Sequence, residues 1–194
     1  MKSICVYLGA NPGNDPAYGQ AADALAQELA ARAITLVYGG SDAGLMGRLA
    51  NACLDAGGDV VGVIPELLVE KEVAHQGLSK LHIVSSMHER KQLMADLADG
   101  FVALPGGIGT LEEFFEILTW NQLGYIAKPC GLLDVKGYYT CIADHFDRMV
   151  DQGFLMPEHR AMAHVDSTPA GLLDQFAVYD PPKVNKWIEK KDGL

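Results

Sequence analysis

The chain has 194 residues, 49% of them hydrophobic and 21% charged, with a formal net charge of −10. That length suits one domain with a sizeable core, and the composition is ordinary for a globular protein. The acidic balance argues against nucleic acid or an anionic membrane surface as a partner, because polyanion binding needs broad basic faces.

In chain order, Ile4 to Leu8 reads as a buried strand ending in the turn formers Gly9-Ala10-Asn11-Pro12-Gly13-Asn14. Asp15-Pro16 opens a helix with proline at its first position and a core stripe through Ala21, Leu25, Leu29 and Ala30. Ile34 to Tyr38 predicts a second strand, followed by a second glycine loop from Gly39 to Gly47 and a helix to about Ala56. Val60 to Ile64 is a third strand stopped by Pro65, and Glu66 to Ser79 is the longest irregular segment. Leu81 to Val84 is a fourth strand, after which Ser85 or Ser86 caps a helix from Met87 to Leu97.

Phe101 to Leu104 is a short apolar run closed by Pro105, the pattern of a strand covered on both faces. Gly106, Gly107 and Gly109 follow, and Thr110 with Glu113 three residues later fits a helix cap and a capping box. The helix runs to about Leu123, with an apolar stripe through Leu111, Phe114, Phe115 and Leu118. Cys130 to Leu133 is a sixth strand, Tyr138 to Val150 a helix, His164-Val165 a last strand and Pro169 to Phe176 a last helix. Residues 1–180 therefore read as one domain, and Pro181-Pro182 introduces a charged tail over 181–194. Strands alternating with helices give an α/β fold with a mostly parallel sheet of about seven strands and helices on both faces. Ligands of such sheets lie at the carboxyl ends of the strands, where three glycine loops meet: after Leu8, after Tyr38 and after Leu104.

The turn at Gly106 to Thr110 carries the chemistry. A helix start with free N–H groups and a positive dipole end is a ready phosphate site. No Gly-Lys-Ser/Thr follows the glycines, so it is not a P-loop, and Glu112 occupies the third-glycine position of a dinucleotide fingerprint. The motif thus favours a nucleoside monophosphate, with Glu112 or Glu113 left for chemistry. Arg90 and Lys91 sit in the first turn of their helix, where the dipole disfavours cations, which points to an anionic partner. The six histidines lack metal-ligand spacing and no metal is expected; no GxSxG nucleophile elbow occurs. Cys5, Cys53, Cys130 and Cys141 read as reduced core thiols of a cytoplasmic protein, and no apolar run reaches membrane-spanning length.

Pro105-Gly106-Gly107-Ile108-Gly109-Thr110-Leu111-Glu112-Glu113 resembles the PGGxGTxxE signature of the Lonely-guy (LOG) phosphoribohydrolases. Met87-His88-Glu89-Arg90-Lys91 resembles that family's second signature, and Gly39-Gly40, Gly44-Leu45-Met46-Gly47 and Lys128 to Leu133 with Gly137-Tyr138-Tyr139 are weaker matches. The resemblance implies a Rossmann-like three-layer sandwich that hydrolyses cytokinin riboside 5′-monophosphates, N6-substituted AMP, to free base and ribose 5-phosphate without cofactor or metal. It implies catalysis by Arg90 and Glu113, with substrate contacts from Glu72, Lys91, Gly107, Gly109, Thr110 and Thr119 beside Gly106 of the same turn. It also implies a homodimer with the site near the interface. Some relatives carry a lysine decarboxylase label, for which no pyridoxal-phosphate lysine motif is present.

Ser41-Asp42 departs from the family, which usually has a third glycine there, and Ile108 stands where relatives often carry an aromatic residue. A carboxylate near the phosphate would alter the ligand, so a carrier for a phosphorylated cofactor, similar to molybdenum-cofactor carriers, is the alternative. In the hydrolytic reading the Glu113 carboxylate stabilises positive charge developing on the ribose. Arg90 either holds Glu113 ionised or anchors the nucleotide, and the sequence leaves both roles open.

Overall fold

The computed structural model describes residues 1–69 and 74–182. Glu72 and the tail beyond residue 182 lie outside the described residues. In chain order the elements are β1 (Ser3–Tyr7), α1 (Pro16–Ala31), β2 (Thr35–Tyr38), α2 (Gly44–Asp55), β3 (Val60–Pro65), α3 (Glu66–Val69) and β4 (Lys80–Val84). They continue as α4 (Met87–Leu97), β5 (Phe101–Ala103), α5 (Ile108–Gln122), β6 (Cys130–Leu133), α6 (Thr140–Asp151), α7 (Pro157–Arg160), β7 (Ala163–Asp166) and α8 (Pro169–Ala177).

Among the described residues the strands form one seven-stranded parallel sheet in the order β4-β3-β2-β1-β5-β6-β7. Period-two alternation in β1 shows why both faces are covered. Ile4 and Val6 join the core beneath α1, α2 and α8, whereas Cys5 and Tyr7 join the core beneath α4, α5 and α6. The expected three-layer, Rossmann-like architecture is what forms. Strand order reverses between β1 and β5, so the loops leaving these two strands diverge and open a crevice at their carboxyl ends.

Local signals set most boundaries. Asp15 caps α1 by accepting from the Ala17 amide at 2.9 Å, with Pro16 at the first helical position. Ser86, not Ser85, caps α4; Ser85 instead donates to the Glu89 carboxylate at 2.6 Å. Several expectations need correction. The buried stripe of α1 runs through Ala22, Leu25, Ala26 and Leu29, with Ala21 and Ala30 at its edges. In α5 the buried positions are Thr110, Phe114, Ile117 and Asn121, spaced by three or four residues, and Phe115, about 100° round the helix from Phe114, stays exposed. Cys5, Cys53 and Cys130 are buried as expected, but Cys141 faces out from α6.

Candidate active site

The crevice between the β1 and β5 loops has a volume of about 530 Å³. One side is the loop after β1, from Gly9 to Gly13; the other is the turn from Pro105 to Gly107 and the start of α5. The second glycine loop reaches it only through Leu45 and Met46, at the start of α2. Asp42 turns away from it. Its Oδ1 lies 3.7 Å from Nε2 of buried His75, which also meets Asn51 at 3.0 Å. Ser41 is buried and accepts from the Ala43 amide at 3.1 Å. The Ser41-Asp42 departure therefore braces the loop against the segment at Ala74–His75 instead of adding a carboxylate beside the phosphate turn.

Gly107, not Thr110, is the N-cap of α5, and having no side chain it caps nothing. The first amide of this end with a backbone acceptor is that of Leu111, which donates to Gly107 O at 3.3 Å. Those of Gly106 to Thr110 donate to nothing among the described residues. Such a cluster of open donors at the positive end of a 15-residue helix suits an anion. Sterics separate the glycines. A Cβ on Gly106 would collide with Thr110 Oγ1 and approach Gly9 N to 2.8 Å, so this position must be bare for β1 and β5 loops to meet. A Cβ on Gly107 or Gly109 would meet nothing within 4 Å, and neither has positive φ. The fold does not require glycine at either, and both line the crevice. Gly109→Ala is accordingly expected to leave Tm unchanged or slightly raised, while raising KM for a nucleotide about tenfold or more. Gly106→Ala should instead lower Tm. Thermal melts beside steady-state kinetics check both.

Glu113 lies one turn beyond the open amides and lines the crevice. Among the described residues its carboxylate accepts no hydrogen bond. Burial pushes its pKa up to about 7, against the pull of the Arg90 guanidinium and with a smaller push from Glu112. Arg90 is buried under the same crevice and donates through Nε to Val63 O and through Nη2 to Gly39 O, both at 3.1 Å. Two of its three nitrogens are thus held by the carboxyl ends of β3 and β2, while among the described residues Nη1 has only the Met87 sulfur at 3.8 Å, which fixes a positive charge at the crevice floor.

Lys91 does not line the crevice. Its Nζ bridges Glu112 at 2.7 Å and Glu116 at 2.9 Å, tying α4 to α5. Thr119 lies on a separate groove with Leu118, Phe146 and Met149, its hydroxyl donating to Phe115 O at 2.7 Å. Gly106, Gly107, Gly109, Thr110, Arg90 and Glu113 are brought together. Tyr18 and Tyr138 also line the crevice, and sequence reasoning gave neither a role. Among the described residues no cluster of His, Cys, Asp and Glu is arranged to hold a metal ion.

An α/β sheet with an open-amide helix start, a buried arginine and, among the described residues, a carboxylate without a hydrogen-bond partner is an arrangement suited to an anionic ligand. Residues 46–176 match a family model described as "Possible lysine decarboxylase". Over 161 residues the chain is 51% identical to the cytokinin riboside 5′-monophosphate phosphoribohydrolase of Rhodococcoides fascians, covering 82% of this chain and 81% of that protein. It is 44% identical over 181 residues to the enzyme of the same name, LOG7, of Arabidopsis thaliana, covering 93% and 83%. The chain belongs to this Lonely-guy phosphoribohydrolase family. Among solved structures it is similar to the molybdenum cofactor carrier protein of Chlamydomonas reinhardtii, with TM-score 0.70, 21% identity and coverage of 92% and 99%. The molybdenum cofactor binding protein of Rippkaea orientalis gives TM-score 0.67 at 20% identity, covering 91% and 96%. At these identities the likeness concerns the fold alone.

Proposed function

We propose that this protein hydrolyses the N-glycosidic bond of cytokinin riboside 5′-monophosphates, releasing free base and ribose 5-phosphate. It is an N-glycosyl hydrolase, like the relatives that share 41–51% of its residues. The observation that carries the reading is the pairing of open amides at Gly107 to Thr110 with the unpartnered Glu113 carboxylate one turn along α5. Three residues of helix advance about 4.5 Å along the axis, so Glu113 stands one turn from Thr110 on the crevice wall. With a phosphate on the amides, the sugar that it carries lies within reach of Glu113.

In this reading the bond between C1′ and the base nitrogen breaks, its electrons leave with the base, and ribose becomes oxocarbenium-like. Ionised Glu113 stabilises that charge and orients the water whose oxygen adds to C1′, and the proton that this water gives up ends on the departed base nitrogen. Arg90 favours the ionised carboxylate from beneath rather than gripping phosphate with its fork. Gly106, Gly107, Gly109 and Thr110 form the phosphate turn. Lys91 acts through Glu112 and Glu116 by fixing α4 against α5.

Thr119 is too far along α5 to share this crevice's lining, and its groove carries Phe115, Leu118, Phe146 and Met149. An apolar groove of this kind is suited to a second copy of the chain, so the proposal includes a homodimer with the crevice near the interface. Light scattering at micromolar concentration should give about twice the chain mass. The free buried thiols Cys5, Cys53 and Cys130 favour residence in the cytoplasm.

The test is incubation with N6-isopentenyl-AMP, AMP and the matching nucleosides, with free base followed by chromatography. The nucleotides are expected to be cleaved and the nucleosides to be poor substrates. Equal or better turnover of nucleosides would remove the phosphate from the assignment.

A further inference from the structure

The turn between β5 and α5 presents donors to the crevice only if its carbonyls are held elsewhere, since a carbonyl oxygen swung toward a phosphate would repel it. All four carbonyls from Leu104 to Gly107 are engaged. That of Leu104 accepts from the buried Tyr139 hydroxyl at 2.6 Å, that of Pro105 from the Gly9 amide at 3.3 Å, and that of Gly107 from Leu111 within α5. The Gly106 carbonyl accepts from the Tyr138 hydroxyl, also at 2.6 Å. Of the two side chains that donate to these carbonyls, Tyr138 is the one that lines the crevice.

The segment carrying Tyr138 is built to hold it there. Lys136 and Gly137, in the 3₁₀ turn Val135–Gly137, have φ of 54° and 78°. For lysine this left-handed backbone is strained, and such strain persists where surrounding contacts over-determine it. Here Lys136 Nζ pairs with Asp15, the cap of α1, at 2.6 Å. Asp134 accepts from the Tyr139 amide at 2.6 Å and from the Thr140 hydroxyl at 2.9 Å. The Tyr138 ring meets Tyr18 edge-on at 5.6 Å and Tyr139 at 5.0 Å.

Building on the phosphate turn proposed above, we infer that Tyr138 is a positioning residue: its hydroxyl holds the Gly106 carbonyl out of the anion's space, so that the turn shows the phosphate only N–H groups. Tyr139 restrains the neighbouring Leu104 carbonyl from inside the core. Tyr138 acts through the backbone and needs no contact with the reacting atoms.

The test is Tyr138→Phe, which keeps the ring contacts and removes only the donated hydrogen bond. Two readouts are used: steady-state kinetics on N6-isopentenyl-AMP, and protection against thermal unfolding by inorganic phosphate. KM is expected to rise about five- to tenfold with kcat changed less than about threefold, and about five- to tenfold more phosphate should be needed for the same rise in Tm. Tyr139→Phe, in the core, should lower Tm without changing phosphate protection in proportion. A folded Tyr138→Phe protein with wild-type KM and wild-type phosphate protection would overturn the inference, as would a wild-type protein that phosphate does not protect. If phosphate protects the wild type and Tyr138→Phe weakens that protection, yet no nucleotide is hydrolysed, the reaction fails and the positioning role stands.

Discussion

Glu113→Gln is expected to lower turnover of a nucleoside 5′-monophosphate about 100-fold or more while nucleotide binding stays measurable. The amide keeps the shape of the side chain and loses the charge that opposes the developing oxocarbenium, a loss of the size seen when one transition-state contact is removed. The pH profile carries a second signature. With the carboxyl's pKa at about 7, wild-type kcat/KM should rise with pH through about 7 as the carboxylate forms. The substrate phosphate's own ionisation, near 6, falls below that limb. In Glu113→Gln the limb should vanish. Glu112→Gln should cost far less, because Glu112 is half exposed and spent on Lys91.

The same substitution should not weaken the fold. Folded Glu113 keeps its proton up to about pH 7, whereas the ordinary value is 4.5. Between those values the native state binds more protons than the unfolded chain, so stability falls as pH rises across that window and the full cost is present above it. Glutamine carries no such cost. Glu113→Gln should melt like the wild type near pH 4 and higher at pH 8, by about 3–6 °C for a gain on the order of 1–2 kcal/mol once solvent screening is allowed for. An inactive variant that melts lower at pH 8 would mean that Glu113 is structural, and near-normal turnover would end its catalytic assignment.

The parts of this molecule that were legible in the sequence are those set by near neighbours. Asp15-Pro16 announces the start of α1 because cap and proline act within one turn. The apolar runs at Ile4, Val60 and Cys130 announce strands because both sheet faces are covered. Thr110 misleads because a good capping residue stands three positions beyond the actual N-cap: Gly107 precedes α5 without a side-chain cap, and that bareness is what leaves the amides open. Lys91 does face anions, as its place in the first turn of α4 suggests, but they are Glu112 and Glu116, 21 and 25 residues away. The brace from Asp42 to His75 and the bond from Tyr138 to Gly106 span 33 and 32 residues. Nothing local signals such pairs; they follow from strand order, which sets the loop after β2 beside the segment after β3, and the loop after β5 beside that after β6.

Arg90 shows the same limit most sharply, and its replacement has the largest expected effect on stability. From the sequence it was either an anchor for the nucleotide or a charge for Glu113. The geometry favours the second, since Nε and Nη2 are committed to the carbonyls of Val63 and Gly39. Arg90→Ala would leave both carbonyls without this donor and Glu113 without its buried counter-charge. Removing one member of such a buried arrangement costs about 3–5 kcal/mol, so Tm should fall by about 10 °C or more. Because the guanidinium pulls the Glu113 pKa down, its loss should move the rising limb of kcat/KM above pH 7, and turnover at neutral pH should fall with it. Arg90→Lys keeps the charge and loses the fork; it should recover the position of the limb better than it recovers Tm. A nucleotide anchor behaves differently: Arg90→Ala would then melt close to the wild type, keep its limb at about 7, and lose affinity for the monophosphate alone. Melting curves and pH–rate profiles on the two variants separate these outcomes, and the second pattern would return Arg90 to the substrate.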